Sequence, residues 1–524
     1  MKRIVSMAMA FVMALSLVAC GSSEPAPSAP SASASAPSGE NTVAERIVIA
    51  RPLDSTNLDP VTCVGNTNIW IINLVVDSLV KASDDGKSIE PNLAESWTIS
   101  DDGLVYTFKL VPDVKFSDGT PVTAADWEWS LNRAVETTDG HWYFAAKNID
   151  KVEAPDDTTV VITLKEPSAA TLANLSMFSM SVQSKAYFEK VGATAYENGP
   201  MGTGPYVIKE WVKGEHILLE ANPHYRHEGL PKTKEIVFKV VVDDSARTMQ
   251  LQAGEVDVIT EMSYSALKQL EGDSNVVTMA LPSTVTRFMA LNTARPGLDN
   301  ELVRKAINLA TDNKTLTAMV LYGYGEPSVS WLQNTSGYLN PNVPAPQQDL
   351  EQAKQLMAEA GFEGGLTIDM LYKAGNAFEE QVATILKEQW SQIGITVELR
   401  PEEQGIYLED FYGLNYDTVV DYWSDDIPDP LQFIQSICVF DLYCGFDTNY
   451  QNPRLEELNA LAAVEADDAK RHEYYDEVQE ILYDANIFVP LCSAPYGVAT
   501  RTNIEGFVQT PLGNYRFDNL VKYE

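Results

Sequence analysis

An apolar run at the N-terminus constrains this chain most, because it fixes where the remainder must fold. Lys2 and Arg3 precede a stretch from Ile4 to Ala19 that only Ser6 and Ser16 interrupt. Such a run is too short and wrongly flanked for a stable spanning helix and reads as a secretory signal. The rest of the chain is therefore expected to fold outside the cytoplasm, where disulfides are permitted. No later stretch is apolar enough to span a membrane. Removing residues 1–19 leaves roughly 500 residues, long for one core and suited to two or three domains.

The run ends in Leu17-Val18-Ala19-Cys20-Gly21. A signal peptide needs small residues at the cut, but it has no need of a thiol. The stretch resembles a bacterial lipobox, with Cys20 in the place of the lipidated cysteine. A membrane anchor of acyl chains on Cys20 is the expectation. From Ser22 to Gly39 the chain is nearly all Ser, Ala and Pro, with one charge at Glu24. That composition lacks the apolar mass to order itself, and its prolines keep it partly extended. Residues 20–43 are thus expected to tether the folded part to the bilayer.

A formal charge of −37 argues against nucleic-acid binding, since phosphates would be repelled. Solubility is the simpler meaning of the charge. Four cysteines lie beyond the signal: Cys63, Cys438, Cys444 and Cys492. None has C-x-x-C spacing of the zinc or redox kind. Cys438 and Cys444 are near enough in sequence to bridge a small loop and are expected to do so. Spacing does not decide whether Cys63 and Cys492 pair.

The remainder mixes strands and helices. Trp97-Thr98-Ile99, a turn at Asp101-Asp102-Gly103, and the alternation of Leu104, Tyr106, Phe108 and Leu110 predict a β-hairpin. Further hairpins are predicted around Pro155-Asp156-Asp157 and Lys213-Gly214-Glu215. Thr123 with Asp126 forms a capping-box pattern ahead of Trp127, Leu131 and Ala134. Asp349 is placed to cap a helix from Leu350 to Ala360 that Gly361 ends. Glu379 to Ile393 reads as a helix, then Gly394, then the strand Ile395 to Leu399. Helix, glycine, strand is α/β grammar.

Several blocks resemble the extracellular solute-binding proteins of the peptide/nickel class, which serve ABC importers. They are Leu58-Asp59-Pro60, then Pro91-Asn92-Leu93-Ala94-Glu95-Ser96-Trp97, then the run from Val114 through Ser117-Asp118-Gly119 to Asp126. Gly202-Thr203-Gly204-Pro205-Tyr206, Leu291-Asn292-Thr293 and Val303-Arg304-Lys305-Ala306-Ile307 follow in family order. The resemblance implies an α/β, two-lobed, hinged fold like that of periplasmic binding proteins, with an extra domain inserted in the first lobe. By that analogy residues 44–77, 202–283 and 491–524 form lobe I, 78–201 the inserted domain, and 284–490 lobe II. The chain would cross between lobes near Ser283 and near Pro490. The implied protein is a monomer without a cofactor. It hands a small peptide to the membrane subunits of an ABC importer.

The most suggestive binding segment is Asp421-Tyr422-Trp423-Ser424-Asp425-Asp426-Ile427-Pro428-Asp429-Pro430. Pro428 and Pro430 oppose a continuing helix, so a loop is predicted. Peptide-binding members of the class have an Asp three residues after a Trp that takes the ligand's amino group. Asp426 follows Trp423 at that spacing. Trp423 and Tyr422 would supply aromatic walls, Trp423 with a cation–π face. Dipeptide-binding relatives place an Arg for the ligand carboxylate near Lys373, and a lysine there gives a point charge instead of a fork. His216, His224 and His227 cluster in sequence but lack a completing metal pattern. No nucleophile elbow, zinc-helix motif or phosphate loop is present, which disfavours the rival reading as a surface hydrolase using paired carboxylates. Within the binding class, oligosaccharides and nickel chelates remain alternatives to a peptide.

Overall fold

The alternation from Leu104 to Leu110 becomes a strand for a simple reason: it places every second side chain on one apolar face. In the computed structural model, which describes residues 42–524, Tyr106, Phe108 and Leu110 are buried and the residues between them are more open. The strand Val105–Leu110 pairs antiparallel with Ala94–Ile99, with Trp97 opposite Phe108. The other two predicted hairpins form as Ile149–Asp156 with Thr159–Leu164 and Tyr206–Val212 with His216–Ala221. The signal run, Cys20 and residues 20–41 of the expected tether lie outside the described residues.

The helix signals act as their chemistry requires. Thr123 and Asp126 form a reciprocal capping box at the head of Ala124–Glu136, which buries Trp127, Leu131 and Ala134. Asp349 accepts from the Gln352 N–H and starts Leu350–Glu359. Gly361 follows at φ +84°, a conformation that suits glycine. The next helix runs Ala377–Ser391, two residues ahead of the predicted start, because the Asn376 side chain caps the Glu379 N–H. Its apolar face, including Val382, Leu386 and Trp390, packs on the second large sheet.

Three larger sheets, beside two two-stranded ones, organise the described residues. A seven-stranded mixed sheet has the order Val276–Leu281, Tyr496–Arg501, Val258–Ile259, Arg46–Arg51, Glu235–Val240, His216–Ala221, Tyr206–Val212. A four-stranded antiparallel sheet is drawn entirely from residues 94–164 and shares a hydrophobic core with the seven-stranded one. A six-stranded sheet has the order Glu326–Pro327, Phe488–Ser493, Thr286–Leu291, Thr418–Trp423, Leu366–Lys373, Ile395–Glu402. Helices cover both faces of that sheet. One face packs around Trp390 and the other around Phe433 and Tyr475. This is a mixed α/β periplasmic-binding-protein fold.

The chain passes between the two large sheets at two adjacent places. The first lies between Leu281 and Thr286, around Ser283. The second is Ala494-Pro495, because Pro490, the expected crossing, sits inside the strand Phe488–Ser493. The Ser283 hydroxyl donates to the Ala494 carbonyl, and the Ala494 N–H donates to the Val285 carbonyl at 3.1 Å. Two short passages bonded side by side give few places to bend, as a hinge requires.

Candidate functional site

The edge of the six-stranded sheet next to these passages gathers the site. Leu366–Lys373 and Thr418–Trp423 run parallel, so both end there, and the antiparallel Thr286–Leu291 begins there. Crevices at the carboxyl ends of strands are the usual ligand position in α/β sheets. Alternation assigns the side chains. Tyr422 stands opposite Arg287, and Asp421 opposite Phe288 on the other face.

Beyond Trp423 the chain is a loop to Pro430, as its prolines predict, and the helix Leu431–Cys438 follows. The Trp423 ring lies flat on Phe433, centroids 4.6 Å apart, with Phe446 edge-on at 5.1 Å. Its indole N–H donates to Asp425 Oδ1 at 2.9 Å. The Asp425 backbone N–H donates to the Thr284 hydroxyl at 2.9 Å, which ties the loop to the first sheet passage. Burial pushes the Asp425 carboxyl up to about 8, against the opposing pull of the indole.

Asp426 has a neutral partner. Its backbone N–H donates to Gln432 Oε1 at 3.0 Å, and Gln432 Nε2 donates to Asp426 Oδ2 at 2.8 Å. Burial raises this carboxyl to about 6, opposed by the Gln432 bond. It lines a cavity of about 380 Å³ together with Asn73, Asp77, Lys81, Arg226, Tyr515 and Arg516. Close by, Trp70 meets Tyr496 and Tyr515 edge-on, each at 5.7 Å. Burial pushes the Tyr496 hydroxyl far up, and the charges of Asp426 and Asp425 add to the effect. Asp426 shares its cavity with the rings of Tyr225, Tyr515 and Phe517.

Asp429, at the end of the same loop, is engaged differently. Arg471 grips it with two bonds of 2.8 and 2.7 Å, and both side chains are buried. Its Oδ1 also accepts from the Leu431 N–H at the head of the helix.

Of the residues singled out from sequence, Asp426, Trp423 and Tyr422 come together around this strand end. Lys373 ends the neighbouring strand but turns elsewhere. Its Nζ lies 5.0 Å above the Tyr407 ring, and its charge acts on two buried carboxyls, Asp421 and Glu379. Burial raises Asp421 to about 7 and raises Glu379. Sequence reasoning missed Arg287 and Glu379, and it named Asp421 only as the first residue of the loop segment. The available signal was a charged residue interrupting an otherwise apolar strand, most plainly Arg287 in Thr286-Arg287-Phe288-Met289-Ala290-Leu291.

The expected disulfide is corrected by the structure: Cys438 and Cys444 are free thiols, as are Cys63 and Cys492. Cys438 closes the helix Leu431–Cys438 facing the aromatic core, and burial pushes its thiol up. Cys444 sits at φ +47° in the irregular segment Phe440–Asp447, half-buried. The helix directs one thiol inward and the left-handed stretch carries the other away. Among the described residues no group of three His, Cys, Asp or Glu side chains is arranged to hold a metal ion.

Comparison with known proteins agrees with this architecture. Residues 88–439 match the model for bacterial extracellular solute-binding proteins, family 5 Middle. The glutathione-binding protein GsiB of Escherichia coli strain K12 is 29% identical over 490 residues, covering 91% of this chain and 94% of that one. The periplasmic binding protein DppA of Helicobacter pylori, solved in complex with peptide STSA, superposes with a TM-score of 0.81. It is 26% identical and covers 91% of this chain and 98% of its own. NikA of Brucella suis, solved with Fe(III)-EDTA, gives 0.84 at 25% identity, covering 91% and 99%. With more than half its length matched by that family model, the chain is a binding protein and belongs to the family 5 bacterial extracellular solute-binding proteins.

Proposed function

We propose that this protein captures a small peptide between its lobes and delivers it to an ABC importer, from a lipid anchor on Cys20. The observation that carries the peptide reading is the Asp426 carboxylate. It is half-buried, its only hydrogen-bonded partner is the neutral Gln432 amide, and it lines a cavity with the rings of Tyr225, Tyr515 and Phe517. A carboxylate in that condition favours a cation that arrives with the ligand. The α-ammonium of a peptide is such a cation, and Tyr422 and Trp423 supply walls beside it. Relatives that bind glutathione and the peptide STSA support the class of ligand.

In this reading lobe I comprises residues 44–77, 202–283 and the chain after the Ala494-Pro495 passage, with 78–201 as its insert. Lobe II lies between the two passages. Closure on the ligand would reduce the radius of gyration in small-angle scattering.

Calorimetry with Ala-Ala-Ala and its N-acetyl form tests the ammonium. Asp426→Asn should weaken the free peptide by roughly two to four decades, since removing one partner of a buried charge pair costs about 3–5 kcal/mol. Acetylation should cost the parent protein as much and the variant little. Equal binding of both peptides to the parent would remove the ammonium reading. The anchor is tested separately: Cys20→Ser should leave the precursor uncleaved or release the protein from membranes, because stable anchoring takes more than one chain.

A further inference from the structure

Arg287 is a cation without a partner. Among the described residues its side chain makes no ion pair, and its buried Nε has no hydrogen-bond acceptor. Other arginines with an unbonded buried Nε, such as Arg51, Arg226 and Arg247, still donate through their terminal nitrogens, and others are held outright. Arg471 holds Asp429, Arg133 holds Asp59, and Arg304 donates to the carbonyls of Ala485 and Leu298. A guanidinium has five donors, and leaving them unmet in a desolvated place is unfavourable.

What Arg287 does have is a mount. Its guanidinium carbon lies 4.2 Å from the Phe378 ring centroid and 5.1 Å from that of Tyr422. Two rings hold the planar group by cation–π contact, which fixes its orientation and consumes none of its N–H donors. Tyr422 keeps 38% of its surface open, so the mount is not sealed within the sheet. The loop that carries Asp426 leaves the same strand end directly after Trp423, and Asp425 in that loop bonds Thr284, three residues before Arg287.

The groups around Arg287 do not neutralise it. Asp421 and Glu379 feel its charge, but each is raised by burial and Lys373 also acts on both. Glu261 is raised by burial, and Arg51 and Arg247 oppose that rise. Tyr264 feels Arg287 as well, but its hydroxyl donates to the Pro495 carbonyl at 2.8 Å.

We infer that Arg287, and not Lys373, holds the ligand's carboxylate, so that the cleft reads a zwitterion with its cation at Asp426 and its anion at Arg287. This rests on the peptide reading for the cation and extends it to the other end of the ligand. The Arg287 fork matches a planar carboxylate in two bonds, whereas Lys373 offers a point charge and lies over the Tyr407 ring.

The test compares Ala-Ala-Ala with its C-terminal amide by calorimetry, on the full chain and on Arg287→Gln, Arg287→Lys and Lys373→Gln. The parent should bind the acid about 100-fold more tightly than the amide, the size of a lost charged hydrogen-bond pair. Arg287→Gln should bring the ratio of acid to amide near one, and Arg287→Lys should restore part of it. A merely structural Arg287 would weaken acid and amide equally and leave the ratio intact, which overturns the inference. Loss of the ratio in Lys373→Gln instead would also overturn it and return the role to Lys373. The failures are separable. If acetylation is harmless but the acid is still required, the ammonium reading falls and Arg287 stands. If acid and amide bind alike while acetylation hurts, Arg287 falls and the ammonium reading stands. A nickel–histidine chelate that binds the parent but not Arg287→Gln, where no peptide binds, keeps the carboxylate site and removes the peptide. If neither peptide nor chelate binds the parent, both readings fall.

Discussion

Asp426 and Asp429 stand three residues apart in one loop, yet the chain supplies their surroundings on opposite terms. Asp429 receives a full counter-charge from Arg471, in two short bonds, and caps the next helix. Asp426 receives one neutral amide and faces a cavity. The same contrast separates Arg471 from Arg287, which is mounted between rings but meets no carboxylate. In the proposed reading, charges that serve the fold are neutralised within it, and charges that meet a ligand are positioned by neutral groups. The contrast can be broken from either side.

The largest expected effect is on folding. Asp429→Asn leaves the Arg471 guanidinium buried without its counter-charge and should cost about 3–5 kcal/mol in urea denaturation. Asp426→Asn, which removes a desolvated charge and keeps a polar group, should change stability by no more than about 1 kcal/mol. Equal losses in the two variants would erase the distinction.

The next effect is on pH. The carboxyls of Asp425, Asp421 and Asp426 are raised in the folded state to about 8, 7 and 6. The folded protein therefore holds these protons more tightly than the unfolded chain does. Their contribution to stability is complete below about pH 4 and is lost as pH rises through those values. The ligand-free parent should lose more stability between about pH 5 and pH 8 than Asp425→Asn does in parallel thermal melts. Ligand binding should run the other way. An ammonium stabilises ionised Asp426, so affinity should fall below about pH 6, by up to about tenfold per unit. A flat affinity profile from pH 7 down to pH 5 would count against the pair.

Trp423→Phe gives a smaller effect. It keeps a ring for the stack on Phe433 and deletes the indole bond to Asp425, worth about 1 kcal/mol. The Asp425 carboxyl should then titrate still higher, measurable by carboxyl NMR. The smallest effect is kinetic. A thiol reagent should label half-buried Cys444 before buried Cys63, Cys438 and Cys492, as mapped by mass spectrometry of the folded protein. A Cys438–Cys444 bridge would abolish labelling of Cys444.

Much of the architecture was legible because its causes are local. Thr123 with Asp126, Asp349 ahead of Leu350, and the alternation around Phe108 each act within a few residues, so spacing reveals them. Errors arose where a neighbouring segment decides. The second passage between sheets was expected near Pro490 and lies at Ala494-Pro495. The strand Phe488–Ser493 is held through Pro490 by its partner Thr286–Leu291, which is far away in sequence. Cys438 and Cys444 looked close enough to bridge. Nothing in their separation shows that a helix points one thiol into the Phe433 core.

The loop chemistry was legible as composition: carboxylates, rings and prolines between Asp421 and Pro430. The sequence by itself thus determined the compartment signal, the α/β grammar and the loop that carries the candidate site, since each is written in contiguous residues. Only the tertiary structure decided which charge does what. Arg471 lies 42 residues beyond Asp429, and Arg287 lies 135 before Tyr422. A counter-charge acts through space within a few ångströms, so whether Asp426 or Asp429 is neutralised depends on what the fold brings beside it.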